Sequence, residues 1–206
     1  MITIALPKGR LAEKTLEILK QCDIIISENT ERKLKIFDIS GQFCFLFVKP
    51  ADVPTYVDHG VADIGIAGKD TLLETNLPLY EMLDLKIGAC SMCVCGFEEQ
   101  KNPVSATLQV ATKYPNIARE HYLKKGMPTE IIKLSGSIEL APLLGLSDVI
   151  VDIVESGRTL RENGLCVLEK ICDISARVCV NRVSLKTKNK EITKLLKNME
   201  EANASL

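Results

Sequence analysis

The sequence has little net charge, few histidines and no long apolar run, and each shortage excludes a class of function. A net charge of −1 over 206 residues provides no general basic field for nucleic acid, so anions must be bound by local groups. No apolar stretch approaches the roughly 20 residues that span a membrane. Met1–Ile4 reads directly as a strand without a signal peptide, which predicts a cytoplasmic protein. With only His59 and His121, the chain offers little choice of a general base for a nucleophilic serine or cysteine.

Two nucleotide-binding motifs are also absent. The chain has no GxxxxGKS or GxxxxGKT stretch, which disfavours a P-loop kinase. It has no GxGxxG stretch, which is the main signal of a dinucleotide-dependent dehydrogenase. Chemistry that relies on these two loops is therefore not indicated.

The eight cysteines form one cluster, Cys90, Cys93 and Cys95, which has two interpretations. A metal site would need a fourth ligand, and neither histidine lies in a ligand-like pair. Cys93 and Cys95 alternate in an apolar run, so one face of a strand would bury both. We therefore expect buried, reduced thiols.

The stretch from Asp148 to Leu160, DVIVDIVESGRTL, has the pattern of a strand, a turn and a helix start. The β-branched run Val149–Ile153 is typical of a strand in a covered parallel sheet. Ser156-Gly157 breaks this run, and Thr159–Arg161 can begin a short helix. Backbone N–H groups at such a junction point in one direction and form a cradle for an anion.

Polar side chains in this stretch match the groups of a ribose 5-phosphate. Ser156 and Thr159 add hydroxyl donors to the cradle. Asp152 and Glu155, just before it, are placed to accept hydrogen bonds from two vicinal hydroxyl groups. The pattern predicts a sugar-phosphate site, and the alternative is an ordinary turn with two solvated acids.

Three further glycine turns follow predicted strands. Lys8-Gly9-Arg10 adds positive charge, which suits a polyphosphate better than a neutral ligand, although a solvated turn has the same pattern. Gly68-Lys69-Asp70 opens a predicted helix, and Asp70 is either its N-cap or faces a ligand. Ser135-Gly136-Ser137 is a turn of the same type.

Strands alternate with helices along the whole chain, which predicts an α/β protein with parallel-rich mixed sheets. Glycine turns occur before and after about Gly88, so we expect two lobes with a central cleft. Ligands of open α/β sheets bind beyond the carboxyl ends of the strands, where these turns lie. Ala176–Val183 is interpreted as the last strand, and Lys188–Glu201 as an amphipathic terminal helix.

The segment Glu139–Leu160 resembles the signature of the ATP phosphoribosyltransferase family. The positions that match the family pattern are Glu139, Gly145, Ser147, Ile150, Asp152, Ser156, Gly157, Thr159 and Leu160. The likeness extends to LPKGRL, DVPTYVDHGVADIGIAGKD, ATKYPN, KLSGSIELAPL and NRVSLKTK, and so covers essentially the whole chain.

The resemblance implies a fold like that of the type II periplasmic binding proteins. The first lobe would be discontinuous, residues 1–88 plus 176–206, and the second lobe, residues 89–175, would carry the phosphoribosyl-phosphate loop. The implied reaction transfers phosphoribosyl from 5-phosphoribosyl 1-pyrophosphate to N1 of ATP and releases pyrophosphate, the first step of histidine biosynthesis. Mg²⁺ would enter with the substrates, and no metal ligand of the protein is implied.

The resemblance also assigns roles to residues. The sugar phosphate would be bound by Asp152, Glu155, Ser156, Gly157, Arg158, Thr159 and Leu160. ATP or pyrophosphate would be bound by Lys8, Gly9, Arg10, Asp70, Gly136 and Ser137. Arg32, Lys8 and Lys49 would be catalytic. Arg32 and Lys8, with Mg²⁺, would neutralise the charge on the departing pyrophosphate, and Lys49 would contact a phosphate. Lys49 departs from the family, in which arginine is frequent here, and lysine lacks the bidentate fork of arginine.

The length of the chain suits the short form of the family, which works with a regulatory subunit resembling histidyl-tRNA synthetase. We therefore expect a homodimeric core within a hetero-oligomer. Two other hypotheses are a non-catalytic solute- or nucleotide-binding module on the same scaffold and a regulatory subunit with a decayed site. The carboxylate pair before the phosphate turn disfavours the first, and the intact motifs disfavour the second.

Overall fold

The computed structural model describes residues 1–26, 33–101 and 107–204. Contacts divide the chain into two compact units, Met1–Gly88 with Ser175–Leu206, and Ala89–Ile174. Ser175 therefore belongs to the first unit, whereas the expected boundary placed it in the second. The reason is local, because the Ser175 carbonyl accepts from the Lys69 amide (3.0 Å) and its hydroxyl donates to Asp84 (2.7 Å).

Eleven strands and eight α-helices make up the described parts of the two units. The strands are β1 (Ile2–Pro7), β2 (Lys35–Phe37), β3 (Phe43–Val48), β4 (Ile64–Gly68), β5 (Tyr80–Asp84), β6 (Cys90–Gly96), β7 (Leu108–Thr112), β8 (Thr129–Lys133), β9 (Val149–Val154), β10 (Cys166–Ile174) and β11 (Ala176–Val180). The helices are α1 (Arg10–Gln21), α2 (Val53–Asp58), α3 (Lys69–Thr75), α4 (Pro115–Lys124), α5 (Leu140–Leu143), α6 (Arg158–Glu162), α7 (Arg182–Thr187) and α8 (Asn189–Ala204).

The first unit contains a six-stranded sheet in the order β2-β3-β1-β4-β11-β5. β1 runs parallel to both β3 and β4, so the carboxyl ends of these three strands lie at one edge of the sheet. The residues at those ends are Pro7, Val48 and Gly68. Each is followed at once by a turn, which places three loops along the same edge.

The second unit contains a five-stranded sheet in the order β10-β6-β9-β7-β8. β7 runs parallel to β8 and β9, so the ends of these strands also share one edge. The other neighbouring strand pairs of the two sheets are antiparallel. The expected α/β architecture with mixed sheets is confirmed, but the described pairings are not predominantly parallel.

The core of the first unit forms where two amphipathic helices cover the β-branched strands. α1 buries Thr15, Ile18 and Leu19, and α8 buries Ile192 and Leu195 together with Met199 in the same cluster. Both sets recur at three- and four-residue spacing, which is the pattern of one buried helix face. The two helices therefore pack on the sheet, and the turns occupy its carboxyl edge.

Two elements differ from the sequence interpretation. β5 was not expected, because its sequence YEMLD lacks clear alternation and leaves Tyr80 and Met82 exposed. The predicted last strand ends early at Val180, because the Asn181 side chain accepts hydrogen bonds from the amides of Val183 (2.8 Å) and Ser184 (3.0 Å). This is the geometry of a helix N-cap, and α7 begins directly after it.

One buried carboxylate, that of Asp63, joins three parts of the first unit. Its oxygens accept from the amide of Thr3 (2.8 Å), the hydroxyl of Ser184 (2.6 Å) and the ammonium group of Lys188 (2.7 Å). The Asp63 side chain is 7% exposed, and that of Lys188 is 38% exposed. Burial alone would raise the pKa of Asp63, but the hydrogen bonds from Lys188, Ser184 and Thr3 outweigh it and the pKa is lowered.

We expect Asp63→Asn to lower the free energy of unfolding by about 2 kcal/mol at neutral pH, because charge-assisted hydrogen bonds are lost. A lowered pKa means that this stabilisation is complete above the unfolded pKa of about 4. It disappears as the pH falls through the folded pKa, so the two proteins converge in acid. Urea denaturation at neutral pH and at about pH 3 measures both effects.

The matched control is Lys197→Gln on α8, which removes an exposed ion pair with Glu201. An exposed pair of this kind contributes well under 1 kcal/mol, so this variant should behave like the parent. A loss in Asp63→Asn that is the same at both pH values would contradict the electrostatic account of this junction.

Candidate functional site

A pocket of about 230 Å³ lies in the second unit, at the end of β9. Its wall contains the seven residues predicted to bind the sugar phosphate, namely Asp152, Glu155, Ser156, Gly157, Arg158, Thr159 and Leu160. Glu139 and Ile150 complete its lining together with Ile153 and Val154. The structure therefore brings the predicted set together around one concavity, because the set is nearly contiguous in sequence.

The turn at Gly157 is held by its own backbone and by one arginine. Gly157 has φ of +67°, a conformation in which a side chain is disfavoured. The Arg161 guanidinium donates to the Ser156 carbonyl (3.0 Å), which ties α6 to the turn. The first-turn amides of α6, at residues 158–160, have no helical carbonyl partner. Because α6 has only five residues, these amides matter more than a helix dipole.

The two carboxylates of the pocket have different surroundings. Asp152 is half-buried and accepts a hydrogen bond from the Ile153 amide (2.8 Å), whereas Glu155 is exposed. Burial raises the pKa of Asp152, and the negative charge of Glu139 raises it further. The Ile153 hydrogen bond and the positive charge of Lys113 act in the opposite direction. Asp152 therefore sits in a site that favours a hydrogen-bonding or cationic partner.

The cysteines beside this pocket are not nucleophiles. Cys93 lies opposite Asp152 and Cys95 opposite Ile150 in the pairing of β6 with β9. Burial raises the pKa of Cys93, and it raises the pKa of Cys95 to about 12. A thiol with such a pKa stays protonated at neutral pH and does not attack. All eight cysteines of the chain are thiols rather than disulfides.

The cationic turns of the first unit lie at the carboxyl edge of its sheet. The Lys8 amide donates to the Val48 carbonyl (2.9 Å), and Lys49 follows Val48 directly. Lys8 and Lys49 therefore extend from the ends of neighbouring parallel strands, and both are exposed. Gly9, with φ of +98°, precedes Arg10, the first residue of α1. Arg32, the third predicted catalytic residue, lies outside the described residues.

Asp70 is not a helix N-cap. Gly68 holds that position, and no side chain caps α3. The Asp70 carboxylate oxygen instead lies 2.1 Å from the point where a Cβ on residue 68 would stand, so glycine leaves room for it. The neighbouring Lys69 is already paired with Glu81 (2.5 Å).

Gly136 and Ser137 form an exposed turn between β8 and α5. Ser137 adopts a left-handed conformation with φ of +48°, and its carbonyl accepts from the Leu140 amide (3.1 Å). Neither residue lines the pocket that contains Asp152. Their predicted part in binding ATP is separate from that pocket.

No cluster of three or more histidine, cysteine, aspartate and glutamate residues is arranged for a metal ion within residues 1–26, 33–101 and 107–204. In the same part of the chain, no helix is both long and apolar enough to cross a membrane.

Comparison with known proteins decides the family. The family model of ATP phosphoribosyltransferase (HisG) matches residues 49–201. The chain belongs to the ATP phosphoribosyltransferase family. Among its relatives, the ATP phosphoribosyltransferase of Caldicellulosiruptor bescii is 56% identical, over 97% of this chain and 98% of that protein. This family consists of pentosyltransferases that catalyse the first step of histidine biosynthesis.

Solved structures agree with this membership. The structure described as the ATP phosphoribosyl transferase (HisG:HisZ) complex from Thermotoga maritima has a TM-score of 0.87 and 39% identity, with full coverage of both chains. The periplasmic aliphatic sulphonate binding protein SsuA from Escherichia coli has a TM-score of 0.58 at 13% identity, over 98% of this chain and 72% of that one. The second likeness shows the fold alone and confirms the expected type II periplasmic-binding-protein-like class.

The structure adds two residues that the sequence interpretation did not assign, one in the pocket wall and one that holds the turn at Gly157. Glu139 reaches the wall from the turn before α5, and its only signal in the sequence was its place in the family pattern. Arg161 holds the Ser156 carbonyl, and only its position four residues after Gly157 could have indicated this. The Arg161 contact spans the turn, which a pattern along the chain does not describe.

We expect Gly157→Ala to lower the free energy of unfolding by about 1 kcal/mol, because a left-handed backbone disfavours a Cβ. That Cβ would also lie 3.2 Å from an Arg161 nitrogen. Gly136→Ala is the matched control, because residue 136 does not have positive φ and its Cβ would meet nothing within 4 Å. Chemical denaturation compares the two variants, and equal stability would contradict the strained geometry of the turn.

Proposed function

We propose that the pocket of the second unit binds the ribose 5-phosphate part of 5-phosphoribosyl 1-pyrophosphate. The amides and hydroxyl groups of residues 156–160 would hold the 5-phosphate, and the carboxylates of Asp152 and Glu155 would accept hydrogen bonds from the ribose hydroxyl groups. The observation that supports this most is that an acid pair and a glycine turn line the same small pocket. A neutral sugar would not need the anion-binding turn.

The reaction would proceed by positioning and charge stabilisation, with N1 of ATP as the nucleophile. Bond breaking at the sugar leaves an oxocarbenium-like centre and places charge on pyrophosphate, so cations are needed where that charge gathers. Lys8, Lys49 and Arg32 would supply the positive charge. Because lysine is a point charge without a planar fork, Lys49 would hold a phosphate less rigidly than arginine. The protonated thiols of Cys93 and Cys95 are consistent with direct transfer.

The remaining turns would serve ATP and the pyrophosphate. Gly9 and Arg10 offer a backbone turn and a guanidinium group for phosphate oxygens. The Asp70 carboxylate, which does not cap its helix, is available for a nucleotide hydroxyl or amino group. Gly136 and Ser137 form a turn whose amides are suited to polar contacts. These assignments rest on family likeness and on the exposed position of each turn.

Mg²⁺ fits this chemistry as an ion carried by the substrate phosphates. It prefers oxygen ligands, keeps several waters and commonly binds through phosphates with one or two carboxylates. Asp152 and Glu139 provide such oxygens in the pocket wall. When bound, the ion would neutralise charge on the pyrophosphate.

The chain would also work with a second type of subunit. The Thermotoga maritima relative is in a complex described as HisG:HisZ. We infer that this chain likewise combines with a regulatory subunit resembling histidyl-tRNA synthetase, around a homodimer, and acts in the cytoplasm. A plain solute-binding module is the competing hypothesis, and the likeness to SsuA supports its fold but not its function.

The direct test is an activity assay. The purified chain, alone and with its regulatory subunit, is mixed with ATP, 5-phosphoribosyl 1-pyrophosphate, Mg²⁺ and pyrophosphatase. We expect the ultraviolet absorbance of an N1-alkylated adenine to rise with time. No rise in either preparation, with tight binding of a substrate retained, would favour the binding module.

We expect Asp152→Asn and Glu155→Gln each to lower kcat/KM for the sugar phosphate by about ten- to a hundredfold, because a hydrogen bond to a charged group is lost. The KM for ATP should stay within about twofold of the parent, since these carboxylates do not contact ATP in this account. Initial rates with each substrate varied in turn measure both parameters.

Glu120→Gln is the control for these two variants, because it removes an exposed carboxylate of the same unit that pairs only with Lys124 in the described contacts. Glu120→Gln should leave kcat/KM for the sugar phosphate and the KM for ATP unchanged. Equal weakening of ATP and sugar phosphate in Asp152→Asn would show that the pocket is assigned to the wrong ligand.

Arg32→Ala should lower kcat more than it raises KM, because its charge would act on the departing pyrophosphate. Arg32→Lys, which keeps the charge, should recover part of the lost turnover. The two constants are obtained from steady-state rates with saturating ATP. A higher KM with unchanged kcat would assign Arg32 to ground-state binding.

A further inference from the structure

The motif ATKYPN, residues 111–116, has no role in the site described above. Its first two residues end β7, the next two form the turn, and its last two begin α4. β7 pairs in parallel with β9, the strand that carries Asp152. The motif therefore lies beside the candidate sugar-phosphate pocket and joins it through the sheet.

Thr112 is the residue that links the two. It is fully buried, and its hydroxyl donates to the Val151 carbonyl (2.6 Å). The same oxygen accepts a hydrogen bond from the Tyr114 amide (2.8 Å). The Val151 carbonyl belongs to the peptide bond that leads into Asp152. One buried hydroxyl therefore fixes the backbone before Asp152 and the turn that contains Lys113.

The position of Thr112 at the end of β7 also relates it to the charge of Lys113. Thr112 is the last residue of β7 and pairs with Val151, so Lys113 follows the end of β7 and Asp152 follows Val151 in β9. The Lys113 side chain is exposed, and its charge acts on Asp152 in opposition to that of Glu139.

We propose that Thr112 is a positioning residue of the sugar-phosphate site, which fixes the backbone that leads into Asp152 and the turn that contains Lys113, whose ammonium group attracts the anionic sugar. The proposal rests on the assignment of the sugar phosphate to this pocket. Thr112 itself is buried and touches no substrate. Its effect would pass through the two charged residues that it holds in place.

The test compares Thr112→Val, which keeps the shape and removes the hydroxyl, with Thr112→Ser, which keeps the hydroxyl. Misplacing a binding group by a fraction of an ångström weakens its contacts, so we expect Thr112→Val to raise the KM for the sugar phosphate about tenfold or more. The KM for ATP should stay within about twofold, and Thr112→Ser should return the sugar KM to within about threefold of the parent.

Thr15→Val is the matched control. Thr15 is also fully buried, and its hydroxyl donates to the Leu11 carbonyl (2.8 Å), but it lies in α1 within the core of the first unit. It should lose a similar amount of stability and leave the sugar KM unchanged. A Thr112→Val protein that is less stable but has the parent's sugar KM would overturn the proposal and leave Thr112 a purely structural residue.

Lys113→Met keeps the test decisive if Thr112→Val does not fold. Loss of the ammonium group should lower kcat/KM for the sugar phosphate by about three- to tenfold, with a larger effect at low salt because the residue is exposed. An unchanged value would overturn the proposal. Asp152→Asn distinguishes failure of the pocket assignment from failure of the role of Thr112. If Asp152→Asn leaves kcat/KM for the sugar phosphate unchanged, the pocket is assigned to the wrong ligand. If Asp152→Asn lowers that value while Thr112→Val and Lys113→Met keep the parent's value, only the positioning role of Thr112 is refuted.

Discussion

The candidate site depends on one local constraint, a left-handed turn at Gly157 shortly after β9, which pairs in parallel with β7 and antiparallel with β6. The amides of residues 158–160 follow this turn, and the Arg161 guanidinium donates to the Ser156 carbonyl and so ties α6 to the turn. Free amides of such a turn are suited to an anion. The strand before the turn brings the Asp152 carboxylate to the same pocket, so the acid and the turn belong to one short piece of chain.

The electrostatics of the pocket balance opposing effects on Asp152. Burial and Glu139 favour its neutral form, while Lys113 and the Ile153 amide favour the carboxylate. A half-buried carboxylate of this kind gains more from a hydroxyl or cationic ligand than an exposed one, because water competes less for it. The backbone that holds this group is itself fixed from the neighbouring strand. The position of the Asp152 carboxylate in the pocket thus depends on a hydrogen bond inside the sheet.

The sequence predicted the parts of this site that are contiguous, because a strand, a glycine turn and a helix start are defined by local pattern. It did not predict contacts made across turns or strands, such as the Arg161 hydrogen bond or the one from Thr112 to Val151. The last strand was also predicted to continue beyond Asn181, because the alternating pattern does not stop at the residue that caps α7 in the structure. Side-chain to backbone hydrogen bonds decide these points, and apolar periodicity does not record them.

The most direct test of the central claim is a crystal structure of the chain with 5-phosphoribosyl 1-pyrophosphate bound. We expect the 5-phosphate against the backbone of residues 156–160, with the ribose hydroxyl groups on the carboxylates of Asp152 and Glu155. A sugar phosphate bound away from this turn, or carboxylates of both residues that make no contact with the ribose, would contradict it.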